Sequence, residues 1–168
     1  MKISRSSAIL RTEYFDTLHR DSTTGLTVAY TDHFPDDRID AAVIDHTDAQ
    51  RSYFGCTYHY IVRTTGAVEI GRDPRTLTPR GNSNLAATNI LIGVVGGRNE
   101  SGKRVTTITP RQREAIEALM QSISDALQVP LEVTDYVHDK ALRDEQIAQE
   151  KALDNVGDRL DELERLSR

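Results

Sequence analysis

Ala41-Ala42-Val43-Ile44-Asp45-His46-Thr47 is the stretch whose reading decides the fold. Together with Ile39 and Asp40 it is poor in charge and rich in Val, Ile and Ala, so residues 39–46 read as a central strand. That strand ends in a polar cluster, Asp45-His46-Thr47. Strand ends of this kind are where α/β proteins place ligands and reactive groups.

Downstream, residues 58–64 and 67–72 read as the arms of a hairpin around Thr65-Gly66, with glycine where a positive φ is needed. Residues 73–88, with Pro74, Pro79 and Gly81, read as a long loop. Residues 90–95 form a second near-continuous apolar strand, closed by Gly96-Gly97, and residues 99–104 read as a turn. Thr109-Pro110-Arg111-Gln112 is a helix start. Thr109 caps, Pro110 suits the first helical position and Gln112 completes a capping box. Ile116, Leu119, Met120, Ile123 and Leu127 then follow as one apolar stripe. Pro130 follows that helix, and residues 131–137 read as a last strand.

Upstream, residues 1–38 read as an irregular arm in which Leu26-Thr27-Val28-Ala29-Tyr30 forms a single strand after a turn at Thr24-Gly25. Residues 139–168 are densely charged and helix-favouring. Leu153, Val156, Leu160 and Leu163 make a short heptad-like seam that calls for a partner or for the chain's own domain. The expected organisation is an arm over 1–38, a core domain over 39–138 and a charged helix over 139–168.

The bulk numbers narrow the class. A chain of 168 residues, 38% hydrophobic, fits one domain with an appendage. A net charge of -5 argues against nucleic acid or an anionic membrane as partner. No apolar run approaches the roughly 18 residues of a membrane span. The N-terminus lacks the apolar core of a signal peptide, so synthesis in the cytoplasm is expected. One cysteine, Cys56, leaves no internal disulfide and no Cys-rich metal knuckle.

Several pieces in this order resemble the zinc-dependent N-acetylmuramoyl-L-alanine amidases, the phage endolysin and peptidoglycan-recognition-protein family. They are Tyr58-His59-Tyr60, Gly66 to Arg72, Asn89 to Gly97, and Ile108-Thr109-Pro110 with Gln112. The resemblance implies an α/β fold, a mixed central β-sheet flanked by α-helices. It also implies a zinc site whose first histidine ends the first strand, whose second ends the last strand, and whose third ligand follows some eight residues on. The family's assisting tyrosine and lysine fall on Tyr58 and, displaced, on Lys140.

Laid on this sequence, the resemblance places Asp45, followed by His46, at the first ligand and Thr134 or Asp135 at the second. Leu142 or Arg143 falls at the third. The remaining donors are Asp45, His46, Asp135, His138 and Asp139. Neighbouring strand residues face opposite sides, so Asp45 and His46 do not both face one cleft, and His138 lies three or four residues past its place. No metal and no cofactor are therefore expected, and Tyr58 and Lys140 are vestigial. The helix that the family places between the first strand and Tyr58 is read here as a short connection over 48–57.

The other candidates have plain readings. His59 is a hydrogen-bonded sheet histidine, His19 and His33 are solvent-exposed in the arm, and Cys56 is a small apolar filler. Arg72, Arg75, Arg80 and Asn82 border the groove, where they can contact a glycan or a protein. Glu69 and Asp73 offer a carboxylate pair of unfixed distance. The functional expectation is a catalytically degenerate amidase-like domain kept as a binding or structural module. It would be a phage virion component, with protein partners through the arm and the helix at 139–168. The alternatives are an amidase with a rebuilt metal site, a non-hydrolytic peptidoglycan-binding protein, and a polymerase-inhibiting protein.

Overall fold

A computed structural model of the protein describes residues 1–6, 8, 10–11, 18–51, 53–78, 87–128 and 130–134. Beyond these it describes Ala148, Ala152, Val156, Arg159 and Arg165. The elements are β1 (Ile3–Arg5), β2 (Gly25–Tyr30), α1 (Ala41–Gln50), β3 (Tyr60–Val62), β4 (Val68–Ile70), β5 (Asn89–Val94), α2 (Pro110–Leu127) and β6 (Glu132–Thr134). The strands form one sheet in the order β1-β4-β3-β5-β2-β6. Every neighbouring pair is parallel except the β3–β4 hairpin. The mixed sheet flanked by helices is as the sequence implied.

Residues 39–46 are not a strand. Ala41–Gln50 is an α-helix, and Asp40 caps it by accepting from the Val43 N–H at 2.9 Å. Its buried residues are Ala41, Ile44, Asp45 and Asp48. That is an i, i+3, i+4, i+7 stripe, the helical signature, but half of it is acidic and so escapes a search for apolar periodicity. The helix between the first strand and Tyr58 is therefore present and not cut to a short connection.

Instead β2 is an inner strand, which pairs over its whole length with β5, Gly25 opposite Asn89 through Tyr30 opposite Val94, and on its other side with the edge strand β6. β1 is the far edge of the same sheet. A boundary at residue 38 would thus cut the sheet itself. Of residues 131–137, strand β6 takes 132–134; residues 135–137 lie outside the described residues.

Successive residues of β5 serve opposite faces. Ile90, Ile92 and Val94 join Leu26, Val28 and Tyr30 of β2 under α2, where Ile116, Leu119 and Ile123 are buried. Leu91 and Val95 join Ile61, Tyr58 and Cys56 under α1, where Ala41 and Ile44 are buried. The capping box of α2 is complete: Gln112 N–H donates to Thr109 Oγ1 and Thr109 N–H to Gln112 Oε1, each at 3.1 Å. Gln112 Nε2 also donates to the Val95 carbonyl at 2.9 Å, which ties the helix start to the end of β5. The hairpin turn holds Gly66 at φ +84°.

Of the segment at 139–168, Ala148, Ala152, Val156, Arg159 and Arg165 are helical and exposed; its other residues lie outside the described residues. Among the described residues no helix is long and apolar enough to cross a membrane.

Candidate functional site

The carboxyl end of β2 lies one strand in from the β6 edge of the sheet, next to the end of β5. In the family that the sequence resembles, the first metal ligand ends this strand, so the position falls at Tyr30-Thr31-Asp32-His33 and not at Asp45-His46. β6 runs parallel to β2 with Thr134 opposite Thr27, so the strand assigned to the second ligand is β2's neighbour. Thr134 is half-buried at its end. Asp135, His138, Asp139, Lys140, Leu142 and Arg143 lie outside the described residues.

At this strand end the polar groups of Tyr30 are already engaged. The side chain packs on the α2 face, and its hydroxyl accepts from the N–H groups of Thr107 and Ile108, both at 3.2 Å. The Tyr30 carbonyl accepts the Tyr58 hydroxyl at 3.1 Å. Tyr58 reaches it across Gly93, where an added Cβ would stand 2.7 Å from the Tyr58 ring. Tyr58 therefore braces the strand end, fully buried. The chain then continues along β5's tail, with Thr31 N–H on Val94 O and His33 N–H on Gly96 O. Gly97, at φ +97°, leaves room for the Tyr30 ring: a Cβ there would lie 2.6 Å from Tyr30 Cβ.

Beside this end lies a cavity of about 380 Å³ lined by Tyr30, Asp32, Gly97, Arg104 and Val105 among others. Asp32 has φ 60°, a left-handed conformation that aspartate tolerates better than most residues. Its carboxylate stands 3.6 Å from Arg104 and 3.9 Å from Arg98. Those arginines flank a short hairpin: they form an antiparallel bridge, and Gly102 N–H closes on Asn99 O at 2.9 Å. Arg104 is 77% exposed in its side chain. The cavity thus has an apolar wall, one carboxylate and one cation, a set suited to binding a polar chain.

The donors left by the sequence do not fit a zinc site among the described residues. No group of three His, Cys, Asp or Glu side chains is placed to share an ion there. Asp45 is buried in α1, where it accepts from Cys56 N–H at 2.9 Å, from Arg11 N–H at 3.2 Å and from Arg11 Nη1 at 3.3 Å. It holds two loops to the helix. His46, next to it, is exposed on α1 and reaches Gln50. Both belong to a helix, so neither ends a strand.

The loop candidates divide. Arg72 is buried and donates to the Leu77 carbonyl. Arg75 is exposed and forks onto Asp73, with contacts of 3.0 and 2.6 Å that hold the Asp73 carboxyl down to about 2. Arg80 and Asn82 lie outside the described residues. Glu69 does not pair with Asp73. It accepts from Ala41 N–H at 2.7 Å and from Arg63 at 3.2 Å, which makes it a second cap of α1.

His59 is fully buried, with Nε2 2.8 Å from Thr76 O and Nδ1 accepting Leu91 N–H at 2.8 Å. Those partners require the tautomer with the proton on Nε2. Burial pushes its pKa down to about 3. His33 is half-buried, not exposed, with Nε2 3.4 Å from Thr47 of α1, whereas His19 is exposed. Burial pushes the Cys56 thiol up to about 12, so it is no nucleophile.

Sequence reasoning missed Tyr30, Asp32, Arg98 and Arg104 because it set β2 aside in the arm. The signal that finds them is the alternation Leu26, Val28, Tyr30, whose period matches that of Ile90, Ile92, Val94.

No family model matches the chain. The endolysin of Escherichia phage T7 is 26% identical over 106 residues, 62% of this chain and 68% of that protein. The N-acetylmuramoyl-L-alanine amidase LysC from Clostridium intestinale superposes with a TM-score of 0.61 at 21% identity, over 80% of this chain and 82% of that one. PGRP-SA of Apis mellifera superposes with a TM-score of 0.61 at 10% identity, over 80% and 83%. The chain thus has the fold of the family of N-acetylmuramoyl-L-alanine amidases and peptidoglycan recognition proteins, and it is similar in sequence to a phage endolysin.

Proposed function

We propose that the chain is a non-hydrolytic member of this family, a module that grips cell-wall peptidoglycan at the end of β2 without cutting it, as part of a phage particle. The observation that carries the reading is Tyr30. It stands where the strand would present its first zinc-binding histidine, and its hydroxyl and carbonyl are spent on Thr107, Ile108 and Tyr58. The cavity beside it supplies Arg104 and Asp32 as wall contacts.

The test is co-sedimentation with purified sacculi, paired with an assay for released wall fragments. The protein should pellet with sacculi equally with and without a chelator and should release nothing. Arg104→Gln should weaken pelleting several-fold. Fragment release that is abolished by chelator and restored by zinc would make the chain an amidase, the activity named for LysC.

A protein-docking role is favoured by Val156, a residue of the Leu153–Leu163 seam that is helical and 55% exposed. Sedimentation of full-length protein and of protein lacking residues 139–168 tests it. The full chain should associate and the shortened one should not.

A further inference from the structure

The opposite end of the sheet carries a cavity that the wall-binding reading leaves unused. It measures about 490 Å³ and lies where β3 and β5 begin, against the last turn of α2. Its apolar side is built from Tyr60, Ile90, Ile123 and Leu127. Cavities of roughly 300–1,000 Å³ that pair an apolar wall with a few fixed polar groups are typical of small-molecule sites.

The fixed polar group is Tyr60. Its side chain is 9% exposed, and its hydroxyl makes no hydrogen bond to a described residue. Burial and the nearby Asp73 charge both raise the phenol pKa, so it stays an O–H donor across the physiological range. The hydroxyl is not among the fully buried unpaired polar atoms, so it opens onto the cavity, where a ligand's acceptor can reach it.

The charges around the rim cancel. Arg20 and Arg75 stand against Asp21 and Asp73. Arg20 spends its guanidinium on the carbonyls of Pro74, Thr76 and Asn89 and on Thr23 Oγ1. Arg75 spends its own on Asp73. Neither cation is left to hold an anion, and the clamp by Arg20 keeps the rim in shape without a ligand.

We infer that this cavity is a second binding site, for a neutral, mainly apolar molecule that offers one carbonyl-type acceptor to the Tyr60 hydroxyl. The apolar body lies on Ile90, Ile123 and Leu127, and the acceptor meets the phenol at the floor.

Three probes with the same eight-carbon skeleton separate the requirements: octanamide, octanoate and octylamine. They are titrated into methyl-labelled full-length protein and followed by NMR. Octanamide should shift the Ile90, Ile123 and Leu127 methyl signals saturably and bind at least about fivefold more tightly than octylamine, which has no acceptor for the phenol, the size expected for one neutral hydrogen bond; octanoate should also bind more weakly than octanamide, because its charge must be desolvated. Tyr60→Phe should lower octanamide affinity about fivefold and leave octylamine affinity unchanged. Ala126→Trp, at an exposed position on the rim, should abolish binding of all three while the rest of the spectrum and sacculus pelleting stay as in the parent. No saturable shift with octanamide overturns the inference. So does an unchanged affinity in Tyr60→Phe, or binding that survives Ala126→Trp.

Discussion

Beneath α2 the sheet presents Leu26, Val28, Ile90, Ile92 and Val94 to Ile116, Leu119 and Ile123. Beneath α1 it presents Ile61, Leu91 and Val95, but these are joined by His59, and α1 itself contributes Asp45 and Asp48. The first layer is closed by apolar contact. The second has a smaller apolar cluster and is closed by hydrogen bonds between buried polar groups. Asp48 accepts from Thr57 N–H at 3.0 Å and Thr57 Oγ1 at 2.8 Å, next to Asp45 on Cys56 N–H. Apolar contact is non-directional and tolerates small shifts, whereas a buried hydrogen-bond network is costly when any member is lost. The two layers should therefore fail in different ways.

The largest effect belongs to the apolar layer. Ile116→Ala removes a fully buried side chain from the centre of the α2 contact, and such truncations cost about 2–5 kcal/mol. Urea unfolding measures it. A loss below about 1 kcal/mol would mean that the layer repacks and is less tightly filled than Ile116's burial implies.

Next comes Asp45→Ala in the polar layer. It orphans the buried Cys56 N–H and frees the Arg11 contacts, for a loss of about 2–3 kcal/mol. The two layers separate in the double variant with Ile116→Ala. If they are independent, the losses add within about 0.5 kcal/mol; strong coupling would show that the sheet transmits strain between its faces.

Acid distinguishes the layers further. His59 is held neutral by burial, with its pKa lowered to about 3 from an ordinary 6.5. Above pH 6.5 neither the folded nor the unfolded chain protonates it, and stability is flat. Below that, the unfolded chain binds a proton that the folded chain refuses, so stability falls as pH falls, by about 1.4 kcal/mol per pH unit at full slope. The interval from about pH 6 to 5 isolates this histidine from the Asp36 and Asp73 carboxyls, which are held down to about 2. Denaturant midpoints across that interval should drop in the parent and stay level in His59→Asn. An equal drop in both would remove His59 as the cause.

The same contrast explains what was legible beforehand. α2 declares itself locally, through Thr109, Pro110 and Gln112 and a stripe of apolar residues. α1 does not, because Asp45 and Asp48 occupy half of its inward stripe and the remaining Ala-Val-Ile run imitates a strand. The partners that make those carboxylates tolerable inside, Cys56, Thr57 and Arg11, are distant in sequence or lie in loops. No local pattern announces them. Taking α1 for the central strand puts the first ligand position at Asp45 and leaves β2, with Tyr30, in the arm. The hairpin at Gly66 and strand β5 were readable because their chemistry is local: a turn residue at positive φ and an unbroken apolar run.

The smallest effect probes how far α2's local signals matter once the fold is formed. Thr109→Ala deletes the cap that accepts Gln112 N–H, yet Gln112 keeps its bond to Val95 O, and the apolar stripe is untouched. Loss of an N-cap side chain costs about 1 kcal/mol. Thr109→Ser keeps the oxygen and should cost much less. Asp40→Ala at the start of α1 removes a bond of the same kind, to Val43 N–H, but there Glu69 still accepts from Ala41 N–H. If local capping acts alike in both helices, the two alanine variants lose similar amounts. If Glu69 shares the capping of α1, Asp40→Ala is the milder, and Asp40→Ala combined with Glu69→Gln exceeds the sum of its parts. Thermal unfolding of the parent, of these variants and of Glu69→Gln alone distinguishes these outcomes, and it tests whether the polar layer secures its helix from outside the helix.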